Sequence, residues 1–144
     1  MWADTLLDVE RAHLLRLTLW AVASVLTGTI LMTLARGSPR RSPLLFHVAL
    51  QTVAWGAAEL LLVWTAYGSL TLRGLASARR LERFLWFNVG LDAGYVAVGV
   101  TLALAGWTMG RRLAPVGAGL AVVVQGLALL LLDLVIASQL STMV

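Results

Sequence analysis

Cysteine is absent from this 144-residue chain, and so is lysine. Without cysteine there are no disulfides, no thiolate metal sites and no cysteine nucleophile. All eleven basic residues are arginine, a usage that fits a high-GC bacterial coding bias and carries no chemistry of its own. Charge of either sign is scarce, at 12% of residues against about 25% in soluble domains. Histidine occurs only as His13 and His47, which fall on opposite sides of the bilayer in the arrangement derived below, so they cannot jointly hold a haem or di-iron centre. No glycine-rich phosphate loop, zinc-spaced His–Glu pair or nucleophile elbow is present. Hydrolase and redox chemistry are therefore disfavoured, and no residue pattern specifies a metal or a cofactor.

What fills the chain instead is apolar. Hydrophobic residues make up 60% of it, and the mean hydropathy is +0.87. That composition predicts an integral membrane protein, with no stretch outside the apolar segments long enough to fold as a soluble domain of roughly 50 residues. The first eleven residues carry Asp4, Asp8 and Glu10 and lack the positive region and cleavage site of a secretory signal. The first apolar segment is therefore expected to stay in the membrane.

A spanning helix needs roughly 20 mainly apolar residues. Four segments qualify: 13–35, 44–68, 84–107 and 114–140. The proline-bounded turn at 36–43 and the Gly-Arg-Arg turn at 110–115 are short enough for tight antiparallel hairpins. Segments 2–11 and 71–83 mix leucine with charge and are candidates for interfacial helices. The expected fold is all-α, a four-transmembrane-helix bundle forming one domain. A duplicated hairpin is a further expectation: Gln51 and Glu59 are spaced as Gln125 and Asp133 are, and Trp20 and Gly28 match Trp86 and Gly94. Chance similarity among apolar segments is the competing account. Arginines divide six to five between the side bearing the termini and the other side, so the positive-inside rule discriminates weakly; we take the termini as cytoplasmic and the location as a cell inner membrane. The basic balance (net charge +4) suits anionic lipid headgroups, and nucleic acid is not an expected partner.

Three acidic residues interrupt the apolar segments: Glu59, Asp92 and Asp133. A carboxylate in hydrocarbon is costly unless protonated, paired or facing a wet cavity, so each is a functional-site candidate. At 1.5 Å per residue they lie roughly 13, 12 and 10 Å from the terminal-side ends of their spans, in the same half of the bilayer. Gln51, Trp55 and Glu59 form one helical stripe, Asn88, Asp92 and Tyr95 another, and Trp20 leads a small-polar stripe with Ser24 and Gly28. Such stripes should face the bundle interior. The candidate ligand-binding set is Glu59, Asp92, Asp133, Asn88, Tyr95, Trp55, Trp20 and Gln51. The competing account makes these residues interhelical hydrogen-bonding groups, with Asp133 a solvated helix-end charge. Trp64, Trp86 and Trp107 sit near span ends, as interface anchors do. Gly90 and Gly94, and Gly106 and Gly110, have the spacing that lets helices approach closely.

The run from Leu85 to Tyr95, Leu-Trp-Phe-Asn-Val-Gly-Leu-Asp-Ala-Gly-Tyr, resembles a segment of a bacterial family of small four-helix membrane proteins of unknown function. The resemblance implies the fold and brings no activity with it. Small multidrug-resistance transporters fit poorly, because they place an essential glutamate in the first span, where this chain has none. Fluoride channels carry a polar third-span pattern that is missing here.

Three functions follow from these residues. The first is a binding or transport bundle whose carboxylates and aromatic rings receive a small cation or cationic amphiphile, with protonation coupled to release. The second is a non-catalytic subunit of a membrane complex or homo-oligomer, in which Arg16 or Arg83 reaches in to pair with Asp92 or Glu59. The third is an intramembrane acid/base enzyme using Glu59 and Asp92.

Overall fold

The structure, a computed structural model, describes residues 2–36 and 42–144. Four helices follow one another: α1 (Trp2–Arg36), α2 (Pro43–Gly68), α3 (Leu75–Thr108) and α4 (Leu113–Met143). All four are long and apolar enough to cross a membrane. The body of the turn expected at 36–43 lies outside the described residues.

Local chemistry sets the helix ends. Ser42 caps α2 by accepting from the Leu45 amide, and Pro43 occupies the first turn, where its missing N–H costs nothing. At the other end of α2, the Ser69 amide donates to the Ala66 carbonyl. The α3–α4 turn needs left-handed backbone at Gly110 (φ 95°) and Arg111 (φ 54°). Glycine supplies the first without strain. Arg111 is held by its amide bonding to the Trp107 carbonyl and by its guanidinium stacking 5.1 Å from the Trp107 ring. Inside the helices, hydroxyls such as those of Thr18, Thr52 and Thr101 donate to carbonyls one turn back, which satisfies them without a partner in lipid.

Segments 2–11 and 71–83 are not separate helices. The first is the start of α1, and the second becomes helical only from Leu75 as the start of α3, so α1 is 35 residues long, about 52 Å. Their extra turns assemble a small core at the terminal-side end, where Leu6 meets Ala78, Leu85, Ile136, Ala137 and Leu140. Trp2 donates to the Met143 carbonyl, and Trp86 donates to Ser141, whose hydroxyl donates to Glu82. These bonds tie the outer turns of α1, α3 and α4 together.

Apolar burial does not drive helices together in lipid, so close approach depends on small residues. The contacts follow that rule. Gly28 and Gly56 let α1 and α2 touch backbone to backbone, while Gly99 and Gly119 do the same for α3 and α4. Gly117 of α4 lies against the Leu44 backbone of α2. Gly106 packs on Pro115 and Val116, so it joins α3 to α4 inside the bundle. Gly90 and Gly94, by contrast, face open space. Helix α4 is the hub, touching all three others.

The two hairpins α1–α2 and α3–α4 are the best-packed pairs, as a duplicated hairpin requires. The match then stops. A two-fold relation would make the α2–α3 contact equivalent to the α1–α4 contact, yet α1 packs on α4 while no Cα of α2 comes within 8 Å of one in α3. Gly28 and Gly94, the matched glycines, also have unlike surroundings. The symmetry fails where α2 and α3 stand apart, and the gap between them holds the buried charge.

Candidate functional site

A cavity of about 660 Å³ occupies the terminal-side half of the bundle, reaching α1, α2, α3 and α4. That volume is within the range of small-molecule sites, roughly 300–1,000 Å³. Each helix contributes a stripe with helical spacing. From α2 come Trp55 and Glu59, four residues apart; from α3 come Asn88, Asp92 and Tyr95; from α4, Asp133. Six of the eight candidates from the sequence therefore meet in one place. Opposite-running helices bring residues at equal distance from one membrane face to one level.

The inner end is closed by aromatic rings. Trp55 and Tyr95 meet edge to face with centroids 4.9 Å apart, bridging α2 and α3 where the backbones do not. The terminal-side end is closed by an ion pair, in which Arg73 Nε from the α2–α3 connection donates to Glu10 Oε1 of α1 at 2.7 Å. Between these closures lie the carboxylates. Glu59 is 5% exposed and Asp92 4%. Among the described residues, neither Glu59 oxygen nor Asp92 Oδ2 has a hydrogen-bond partner. Glu59 and Asp92 interact as like charges, and so do Asp92 and Asp133. In all, four carboxylates face the cavity with one guanidinium and one imidazole.

Asp133 is buried rather than a solvated helix-end charge, and it has a partner: His13 Nε2 lies 3.3 Å from its Oδ1. The paired acids are thus Glu10 and Asp133, and the acids left over are Glu59 and Asp92. Arg16 and Arg83 do not reach them. Both are exposed, and Arg83 Nε donates to the Arg79 carbonyl instead.

Two candidates lie elsewhere. Trp20 Nε1 donates to Gln125 Oε1 at 2.7 Å, and Gln125 Nε2 donates to Ser24 Oγ at 3.1 Å. This satisfied chain ties α1 to α4 deeper in the bundle and is not part of the carboxylate cavity. Gln51 is half-buried on α2, two turns beyond Glu59, and does not line the cavity either. Both share a stripe with site residues, but the stripe passes the inner end of the cavity before reaching them.

Glu10 and His13 are the site residues that sequence reasoning missed. Leu6, Glu10, His13 and Leu17 recur at four, three and four, continuing the Ser24–Gly28 stripe toward the N-terminus. That periodicity was the available signal; a hydropathy boundary at 13 hid it. Among the described residues no three His, Asp or Glu side chains converge closely enough to hold a metal ion.

The fold and site define a class: a four-helix bundle with membrane-spanning proportions, enclosing an acidic cavity between its second and third helices. The chain belongs to the family described as "Family of unknown function (DUF6992)", whose sequence profile matches residues 16–134. No curated protein and no solved structure matches it.

Proposed function

We propose that this protein is a small membrane binding or transport protein whose cavity receives a cation or cationic amphiphile. One observation carries the reading: Glu59 and Asp92 are buried in the same cavity, and among the described residues neither Glu59 oxygen nor Asp92 Oδ2 has a hydrogen-bond partner. Removing a partner from a buried ion pair costs about 3–5 kcal/mol, so an unpaired buried carboxylate is a feature that stability alone opposes. A cation between Glu59 and Asp92 relieves both the missing partners and the mutual repulsion. The Trp55 and Tyr95 faces suit an organic ammonium, through cation–π attraction. The spread of the acids along a large cavity, with no three-ligand convergence among the described residues, favours an organic cation over a bare metal ion. We place the protein in a bacterial inner membrane with cytoplasmic termini.

The test is a thermal-shift screen of purified protein against metal and organic cations, repeated on Glu59→Gln and Asp92→Asn. Stabilisation by organic ammonium ions that disappears in both variants supports the reading. A panel without response in the wild type, with both variants merely less stable, rejects it.

A second reading has its own observation. Gly90 and Gly94 face open space on α3, where a close helix contact would be unhindered. A homo-oligomer or a membrane partner docking there is the alternative role, and it is compatible with an occupied cavity.

A further inference from the structure

The cavity is narrowed at its inner and outer ends and is widest at the side. Trp55 and Tyr95 seal its inner end, and Glu10 with Arg73 spans its outer end. Between α2 and α3 the backbones remain more than 8 Å apart at every Cα pair. Residues that both line the cavity and are exposed mark its opening: Ala58, Leu62 (67% exposed), Thr65 and Ser69 along α2 and its end, and Phe84 (57%) and Leu91 (41%) on α3. Leu62 and Leu91 lie roughly 10 Å inside the ends of their spans, at hydrocarbon depth. Thr65, on the same edge of α2, spends its hydroxyl on the Leu62 carbonyl and so presents little polarity. Thr65 and Ser69 apart, the opening is apolar and would face lipid in a bilayer, while the acids lie behind it.

From this geometry we infer that the ligand is an amphiphilic cation admitted sideways from the terminal-side leaflet through the α2–α3 gap. Its ammonium group sits by Glu59 and Asp92, and its hydrocarbon tail stays between Leu62 and Leu91. The inference rests on the function proposed above and specifies it further. A hydrophilic cation of the same headgroup gains nothing from the apolar lips and must pass the Glu10–Arg73 pair from water. An amphiphile concentrates in the leaflet and reaches the opening directly. The cavity is also larger than a bare trimethylammonium group requires, and the surplus lies against leucine and phenylalanine.

The experiment compares dodecyltrimethylammonium with tetramethylammonium on the full chain in lipid nanodiscs, with bilayer partitioning subtracted using empty discs. Saturable dodecyltrimethylammonium binding is expected, lost in Glu59→Gln and in Asp92→Asn, with tetramethylammonium weaker by at least about tenfold (about 1.4 kcal/mol). Equal affinity for the two probes would overturn the amphiphile and leave the anionic site standing. Binding of neither probe would overturn both. Access is tested separately with Leu91→Cys, which is the sole cysteine in the variant chain and lies on an exposed lip. A pyrene maleimide adduct there should slow dodecyltrimethylammonium association at least about tenfold relative to the unlabelled variant. An unchanged rate would reject the lateral route.

Discussion

Glu59 is the residue on which the site turns. Among the described residues its two oxygens are buried without a partner, and the neighbouring acid Asp92 adds repulsion rather than relief. Two of the four buried acids avoid that condition: Glu10 has Arg73, and Asp133 has His13. An unpaired charge in a dry site destabilises the fold it belongs to, so its removal should not. Glu59→Gln is therefore expected to retain wild-type melting within about 1 kcal/mol while losing cation binding. Differential scanning fluorimetry beside a binding titration separates the two effects; a large loss of stability with binding intact would make Glu59 a structural residue. Arg73 has the opposite profile. Arg73→Gln leaves Glu10 buried and unpaired, which should cost about 2–3 kcal/mol, and adding Glu10→Gln should recover part of that loss. Chemical denaturation of both variants checks the recovery.

At the scale of the helix, the glycines divide into those that are used inside the bundle and those that are not. A Cβ on Gly99 would sit 2.8 Å from the Gly119 carbonyl, and backbone cannot yield as a flexible side chain can. Gly99→Ala should push α3 from α4 at a cost of about 1–3 kcal/mol. Gly94→Ala meets nothing, so in a monomer it should be neutral or stabilising by up to about 1 kcal/mol through helix propensity. Sedimentation of the Gly94→Ala protein then bears on the partner surface: a changed oligomeric state would show that this face docks another helix. Spacing alone makes Gly90/Gly94 and Gly106/Gly110 look alike, yet only Gly106 packs within the bundle and Gly110 lies in the turn after α3, because a helix's own sequence does not say what stands opposite it. The same blindness placed Trp20 and Gln51 in the cavity. Trp20 faces Gln125 of α4 rather than the acids.

Across the whole molecule, what the sequence made legible was what violates the solvent. Four apolar runs near 20 residues have few alternatives in a bilayer, and each acid inside them is conspicuous. Helical rise then converted position into depth, which brought Glu59, Asp92 and Asp133 to one level without knowledge of packing. Glu10 and His13 stayed hidden because a charged N-terminal turn looks like a solvated end until the neighbouring helix ends bury it. The α2–α3 gap was equally invisible, since internal similarity argues for symmetry and the site lies where symmetry fails. That gap makes the fold more than four packed helices: α4 joins the two hairpins along one edge, and the opposite edge stays open around the acids. The measurement that addresses this most directly is equilibrium binding of dodecyltrimethylammonium to the wild type and to the Glu59→Gln/Asp92→Asn double variant in nanodiscs. One saturable site in the wild type and none in a folded double variant is the predicted result. Undiminished binding after both carboxylates are neutralised would contradict the account.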